Sequence, residues 1–194
     1  MHRRLAPFLA VAALAAAAGC GPAGPNESKG PAADPVAVLH TLPVPSGLRN
    51  GVAEHEATAE QVLAATLPDA VPEAVSSRAR GAGLGRSGIR TFTHPGGGEL
   101  SAVIVVWPSH LTADNFGLQL VQTRLGKDGR TAWTPRDLPG SQGARQGEGD
   151  RERILVRSVG PNTLVVRGTG AVPDDAVAVT LKRMVEVQDA KGGG

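Results

Sequence analysis

The chain has 194 residues, with 20 lysines and arginines against 18 aspartates and glutamates, five aromatic Phe and Trp side chains and no tyrosine. This near-neutral balance and the scarcity of aromatic rings argue against nucleic-acid binding, which needs a basic face and stacking side chains. The single cysteine excludes an intramolecular disulfide, so core packing has to stabilise the fold.

The N-terminus carries a basic start at Arg3 and Arg4, an apolar run from Leu5 to Ala16, and Ala17-Ala18-Gly19 directly before Cys20. This pattern resembles the lipobox of a bacterial lipoprotein precursor, with alanine where leucine is commonest. The resemblance implies a signal peptide over residues 1–19, cleavage before Cys20, and a membrane anchor through acylation of the Cys20 thiol. The alternatives are an unanchored secreted protein and a retained membrane helix. A membrane helix needs roughly 20 apolar residues, and this run is shorter.

Three further segments follow from composition. Residues 20–35 are rich in Gly, Pro and Ala and predict a flexible tether. Residues 36–188 predict a single extracytoplasmic domain, and residues 189–194 a disordered tail. Within the domain, Val36 to Val44 predicts an edge strand or an extended lead-in, because Pro43 and Pro45 interrupt it.

Two helices are predicted next. Thr58 and Gln61 fit a capping box, and the apolar residues after them predict a helix of about ten residues. Pro72 to Arg80 predicts a second short helix with Pro72 in its first turn. Gly81 to Gly88 predicts a glycine-rich connector.

Two β-hairpins are predicted. Ile89 to His94 and Glu99 to Trp107 form the first, in which Ala102 to Val106 is apolar on both alternating faces and indicates a central strand. Glu152 to Val159 and Thr163 to Thr169 form the second.

A third helix is predicted between the hairpins. Thr112 is its expected N-cap, Gly126 ends it, and the intervening apolar residues Phe116, Leu120, Val121 and Leu125 share one face. Arg130 to Thr134 predicts a strand, and Pro135 to Asp150 a functional or mobile loop.

Pro173 is expected to open the last helix, with Val177, Leu181, Met184 and Val185 as its buried stripe. Helices alternating with hairpins predict an α+β fold, a single layered domain with helices packed on an antiparallel sheet. This element order is similar to that of small lipoprotein and sensor domains of actinobacteria, some of which have a Mog1/PsbP-like fold.

Patterns with catalytic or metal-binding chemistry are weak. Gly83 to Gly88 matches G-x-G-x-x-G, but a strand rather than a helix is predicted to follow it. Glu54-His55-Glu56 are adjacent, so their side chains point in different directions. Ser109-His110 adjacency does not supply the geometry of a triad. We therefore expect no enzyme activity, no metal and no cofactor.

The candidate binding residues lie where predicted strands end. Trp107 ends the strongest predicted strand and His110 follows it, while Trp133 lies at the end of another and Arg136 follows that one. Two tryptophans there could line a pocket, with His110 or Arg136 adding polarity. The alternative is that both tryptophans fill the core.

These observations predict a lipid-anchored ligand-binding or sensory module on the outer face of the cell membrane of a high-GC Gram-positive bacterium. Its partners would be the membrane, through Cys20, and a small ligand or an envelope protein. The alternatives are a structural or protein-interaction lipoprotein and a hydrolase without a recognisable motif.

Replacing Cys20 with serine tests the anchor. The Cys20→Ser variant should move from the membrane to the soluble fraction, because no thioether can form. Cell fractionation and immunoblotting measure this, and a variant that stays membrane-bound would contradict the lipobox interpretation.

Overall fold

The computed structural model describes residues 33–67, 77, 81, 84–126, 129–146 and 151–192. The signal peptide, Cys20, residues 20–32 of the tether and nearly all of the helix predicted over Pro72–Arg80 lie outside these ranges. The helices that we use below are α1 (Pro35–His40), α2 (Ala59–Thr66), α3 (His110–Leu125) and α4 (Asp174–Gly192). The strands are β1 (Arg49–Asn50), β2 (His55–Glu56), β3 (Ser87–Thr93), β4 (Glu99–Val106), β5 (Arg130–Ala132), β6 (Gln142–Gln146), β7 (Arg153–Val159) and β8 (Asn162–Gly168).

The strands form one antiparallel sheet in the order β1-β3-β4-β8-β7-β6-β5, and β2 also pairs with β3. Hairpins β3–β4 and β7–β8 are the two that the sequence predicts. They lie side by side because β4 pairs with β8, which puts the two hairpins into one sheet. The predicted α+β fold is confirmed.

The strands β4 and β8 form the centre of the sheet. Val103 is opposite Val165 and Ile104 is opposite Leu164, and all four side chains are fully buried. Successive side chains of a strand point to opposite faces, so these two strands place apolar groups on both faces at once. Such a strand pair needs helices on each side of the sheet.

Each face of the sheet carries two helices: α1 and α4 on one, α2 and α3 on the other. The core under α1 and α4 includes Leu39, Phe92, Leu100, Ile104, Leu164, Leu181 and Met184. The core under α2 and α3 includes Val62, Leu63, Val103, Val105, Trp107, Phe116, Leu120 and Val165. The domain is therefore a three-layer sandwich with the sheet in the middle.

The segment predicted as an edge strand begins with helix α1 instead. Asp34 accepts hydrogen bonds from the backbone of Val36 and Ala37, and Pro35 occupies the first turn, where its missing N–H is not needed. At the other end, Arg90 donates to the carbonyl oxygens of Leu39 and Leu42 at 2.9 and 2.8 Å. These hydrogen bonds at its two ends stabilise a helix of six residues, which would be too short to be stable by itself.

The N-cap of helix α3 lies three residues before the predicted Thr112 cap. Ser109 is its N-cap and accepts a hydrogen bond from the backbone N–H of Thr112. The helix ends at Gly126, as predicted. Its buried face differs at the last turn, where Leu125 is partly exposed and Arg124 is buried.

The predicted loop from Pro135 to Asp150 contains strand β6. The sequence of β6, Gln142 to Gln146, has no β-branched residue, and one of its positions has room for glycine alone. A Cβ added at Gly143 would lie 2.4 Å from the carbonyl oxygen of Ile154 and 2.9 Å from that of Trp133. The close approach therefore explains the glycine within the strand, and the pairing of β6 with β5 and β7 explains the strand itself.

Helix α4 begins as predicted after Pro173, but it continues to Gly192, into the residues predicted as a tail. None of the helices among the described residues is long and apolar enough to cross a membrane.

Truncating Ile104 tests the two-sided core. Ile104→Ala should lower the free energy of unfolding by about 3–4 kcal/mol, because it leaves a cavity under α1 and α4. Urea denaturation measures this. The control Val179→Ala, at a largely exposed position of α4, should change stability by less than about 0.5 kcal/mol, and similar losses for both would contradict the core assignment.

Candidate functional site

Trp107 fills the core. Its ring packs against Phe116 with centroids 4.7 Å apart, and its Nε1 donates to Thr163 Oγ1 at 2.9 Å. Its backbone N–H donates to the carbonyl oxygen of Pro161. A buried tryptophan with its N–H paired has no polar group left for a ligand.

The other three candidate residues do not join Trp107 in one pocket. Trp133 packs against the core on the opposite face of the sheet, under α1 and α4, and Arg145 lies over its ring at 6.0 Å. His110 faces the carbonyl oxygen of Gly160 and the carboxylate of Asp114, both at 3.0 Å. Arg136 is exposed in the turn after β5. The sheet separates the two tryptophans, so a shared pocket does not form.

The structure has a cavity beside α3 instead. This groove of about 310 Å³ lies between the N-terminal half of α3 on one side and, on the other, β7 and the residues around the start of β6. It is lined by Asp114, Asn115, Gly117, Leu118, Gly140, Gln142, Val156, Arg157 and Ser158. We call it the α3 groove.

Gly117 fixes how closely α3 approaches the sheet at the groove. A Cβ at this position would lie 2.9 Å from Val156 Cγ1, so a larger residue would push the helix away. On the opposite wall, Arg157 donates to the carbonyl oxygen of Pro139, while its Nε is buried without a hydrogen-bond partner. The groove therefore combines a tightly packed floor with polar walls.

His110 is connected to this groove although it does not line it. Its ring contacts Asp114 one turn further along α3, and Asp114 is part of the groove wall. Of the four predicted binding residues, His110 is the one that the structure brings next to the cavity.

A second polar cluster lies at the C-terminal end of α3. The Glu152 carboxylate contacts Arg124 Nη2 at 2.9 Å and Arg167 Nε at 2.6 Å, and it also contacts Arg130. All four side chains are largely buried, although they come from α3, β5, β8 and the residue before β7. We call this set the arginine cluster.

The Glu54-His55-Glu56 side chains have separate partners. Glu54 contacts His40, Glu56 accepts from Arg86, and His55 faces the carbonyl oxygen of Ala53. Among the described residues, no group of three His, Cys, Asp or Glu side chains is placed to hold a metal ion.

Two of these surface pairs shift a pKa. The hydrogen bond with His40, 2.5 Å from Glu54, lowers the pKa of the Glu54 carboxyl below its usual value, and a backbone hydrogen bond adds to this. The hydrogen bond to Glu56, together with the charge of Asp34, raises the pKa of the Arg86 guanidinium. The first pair connects α1 to the residue before β2, and Arg86 connects β2 to Asp34, the N-cap of α1.

The fold has a known counterpart. It is similar to the crystal structure of the extracellular domain of PknH from Mycobacterium tuberculosis, with a TM-score of 0.52, 12% sequence identity, and coverage of 79% of this chain and 89% of that chain. At this identity the likeness concerns the fold alone. No protein-family model matches the chain, and no curated protein matches it.

Sequence reasoning misses both the α3 groove and the arginine cluster. Arg124 follows Leu120 and Phe116 at spacings of four and eight residues, which places it on the buried face of α3. This spacing along the helix could therefore have predicted that Arg124 is buried. The partners of Arg124 carry no such signal, because they lie on separate strands.

The lowered pKa of Glu54 predicts a pH dependence. Because the folded-state pKa lies below the unfolded one, the stabilisation by Glu54 is complete above the unfolded pKa and is lost as pH falls through the folded one. Glu54→Gln should therefore unfold at lower urea than the wild type at neutral pH, and the difference should shrink in acid. A difference that stays constant or grows on acidification would contradict the assignment.

Proposed function

We propose that this protein is a lipid-anchored, extracytoplasmic ligand-binding or sensory module of the bacterial envelope. Three observations support it: the lipobox-like N-terminus, the fold shared with an extracellular domain, and the α3 groove. The groove carries the proposal, since it supplies a place for a ligand. No catalytic step is assigned to it.

The size and lining of the α3 groove favour a small polar ligand. Its volume of about 310 Å³ lies at the lower end of the range of roughly 300–1,000 Å³ for small-molecule sites. Asn115, Gln142 and Ser158 offer both donors and acceptors, and Asp114 adds a carboxylate. Leu118 supplies an apolar contact on the helix side.

A ligand in the groove would connect α3 to the sheet. One wall belongs to α3, and the other belongs to β7 and the residues around the start of β6. Its occupancy would therefore stabilise the position of the helix relative to β6 and β7. A sensory module needs such a coupling between ligand and helix position.

A second candidate function is protein interaction, and one observation favours it. Leu111, Leu118 and Leu125 are spaced seven residues apart on α3 and are exposed by 68%, 42% and 36%. This spacing places all three on one face of the helix. An exposed leucine stripe on a helix is typical of a docking surface for another protein.

Native mass spectrometry of the domain purified from its own envelope tests the ligand proposal. The wild type should carry excess mass that is lost on denaturation. Asn115→Trp should lose it, because the indole fills the groove from the α3 wall. The expected reduction is at least about tenfold in the occupied fraction, since a blocked site cannot accept the ligand.

Gln122→Trp is the matched control. Gln122 is an exposed α3 residue two turns beyond Asn115 and outside the groove lining. Excess mass retained by Gln122→Trp and lost by Asn115→Trp supports the groove. A bare monomer mass in the wild type would overturn the proposal, and a co-purifying protein lost in both variants would favour the leucine stripe.

A further inference from the structure

We propose that the arginine cluster is an oxyanion-binding site, and that its ligand is a phosphate group. The site is a small pocket at the C-terminal end of α3, away from the α3 groove. The proposal does not rest on the proposed function, because it uses different residues and a different ligand chemistry.

The charges in this pocket are unbalanced. Arg130, Arg151 and Arg167 line it together with Glu152, so the described lining has three cations and one anion. Arg124 contacts the same Glu152 carboxylate from the α3 side. One carboxylate cannot offset several guanidinium groups, and the excess of positive charge favours an anion.

Arg130 has unused hydrogen-bonding capacity. Its side chain is only 8% exposed, and its Nη2 contacts Glu152 Oε2 without the alignment of a hydrogen bond. Its Nη1 is buried and has no hydrogen-bond partner. A buried guanidinium nitrogen without an acceptor is costly, and an anion bound in the pocket would supply the missing acceptor.

Arg90 shows how this fold satisfies an arginine with a structural role. Its Nη1 donates to the carbonyl oxygens of Leu39, His40 and Leu42, and its Nη2 donates to Asn50. Arg90 is thus paired by backbone and side-chain acceptors. The contrast between Arg90 and Arg130 separates a structural arginine from one with a vacant donor.

The pocket has the size of a small oxyanion. Its volume is about 80 Å³, where a water molecule in the liquid takes roughly 30 Å³. Gln146, Thr169 and Gly170 complete its lining. Arg151 is part of the lining and is exposed, so an anion can reach the pocket from solvent.

The cluster favours phosphate over a single carboxylate. Arginine forks pair with both groups, but a phosphate dianion compensates two excess positive charges and has more acceptor oxygens. The phosphate could be free in solution or belong to a lipid headgroup. Both sources present the same chemistry to Arg130 and Arg151.

The test is a titration of the intact folded domain with inorganic phosphate, followed by ³¹P NMR and calorimetry at constant ionic strength. Saturable one-to-one binding is expected in the wild type. Arg130→Gln and Arg151→Gln should each weaken it by at least about tenfold, because each removes a charged donor. Arg151 is exposed, and the described ion pairs of Glu152 are with Arg124, Arg130 and Arg167. Its variant therefore reports on binding even if Arg130→Gln is unstable.

The controls use charges elsewhere in the chain. Arg49→Gln, at an exposed arginine on the opposite edge of the sheet, should bind phosphate like the wild type. Equal binding by wild type, Arg151→Gln and Arg130→Gln, or a response that does not saturate, would overturn the proposal.

Binding to vesicles distinguishes a lipid headgroup from free phosphate as the ligand. The tether-free domain is cosedimented with phosphatidylglycerol vesicles and with phosphatidylcholine vesicles. Binding to the former that is lost in Arg151→Gln supports the site with a headgroup as ligand, and binding of inorganic phosphate without vesicle binding supports it with free phosphate. Neither kind of binding would contradict the proposal.

Discussion

The pairing of β4 with β8 is the constraint on which the rest of the structure depends. These strands belong to different hairpins, and their side chains are buried on both faces of the sheet. Because each face has to be covered, helices pack on both sides, α1 and α4 on one and α2 and α3 on the other. This requirement places α3 and α4 on opposite faces of the sheet. The α3 groove and the arginine cluster both involve α3, so their positions depend on the same requirement. A change in the central pair would therefore affect the groove and the arginine cluster together.

Helix α3 is held to the sheet by different interactions at its two ends. Near its N-terminal half, Gly117 allows van der Waals contact with Val156 and sets the floor of the groove. In its last turn, Arg124 contacts the buried carboxylate of Glu152 and donates to the carbonyl oxygen of Thr66 at 3.1 Å. Apolar packing thus fixes one end, and charge pairing the other. Ligands at the groove and at the arginine cluster would act on the same helix.

Local patterns in the sequence predict much of the fold. The Thr58 capping box, the two hairpins and the start of α4 are confirmed, because each depends on residues close together in the chain. The order of strands was not predictable, since β4 and β8 meet through a pairing between residues about sixty positions apart. Strand β6 was missed because it has no β-branched or aromatic residue, and Gly143 lies where a larger residue would clash.

The candidate site was harder to predict than the fold. Trp107 and Trp133 both follow strands, but strand ends alone do not tell on which face a side chain lies. The α3 groove is built from three stretches, around Asp114, Gln142 and Val156, that no spacing connects. Likewise, Glu152 meets its arginines only once the sheet has formed. Sites of this kind depend on topology, which sequence patterns specify least well.

The central claim is that the protein binds a ligand between α3 and the sheet. Amide hydrogen exchange of the domain with and without an extract of its own envelope tests it most directly. The account predicts added protection in residues 114–118, 140–142 and 156–158, with little change at 133–136. Protection along the exposed face of α3 from Leu111 to Leu125 without change at 140–142 would contradict it and indicate a protein-docking helix.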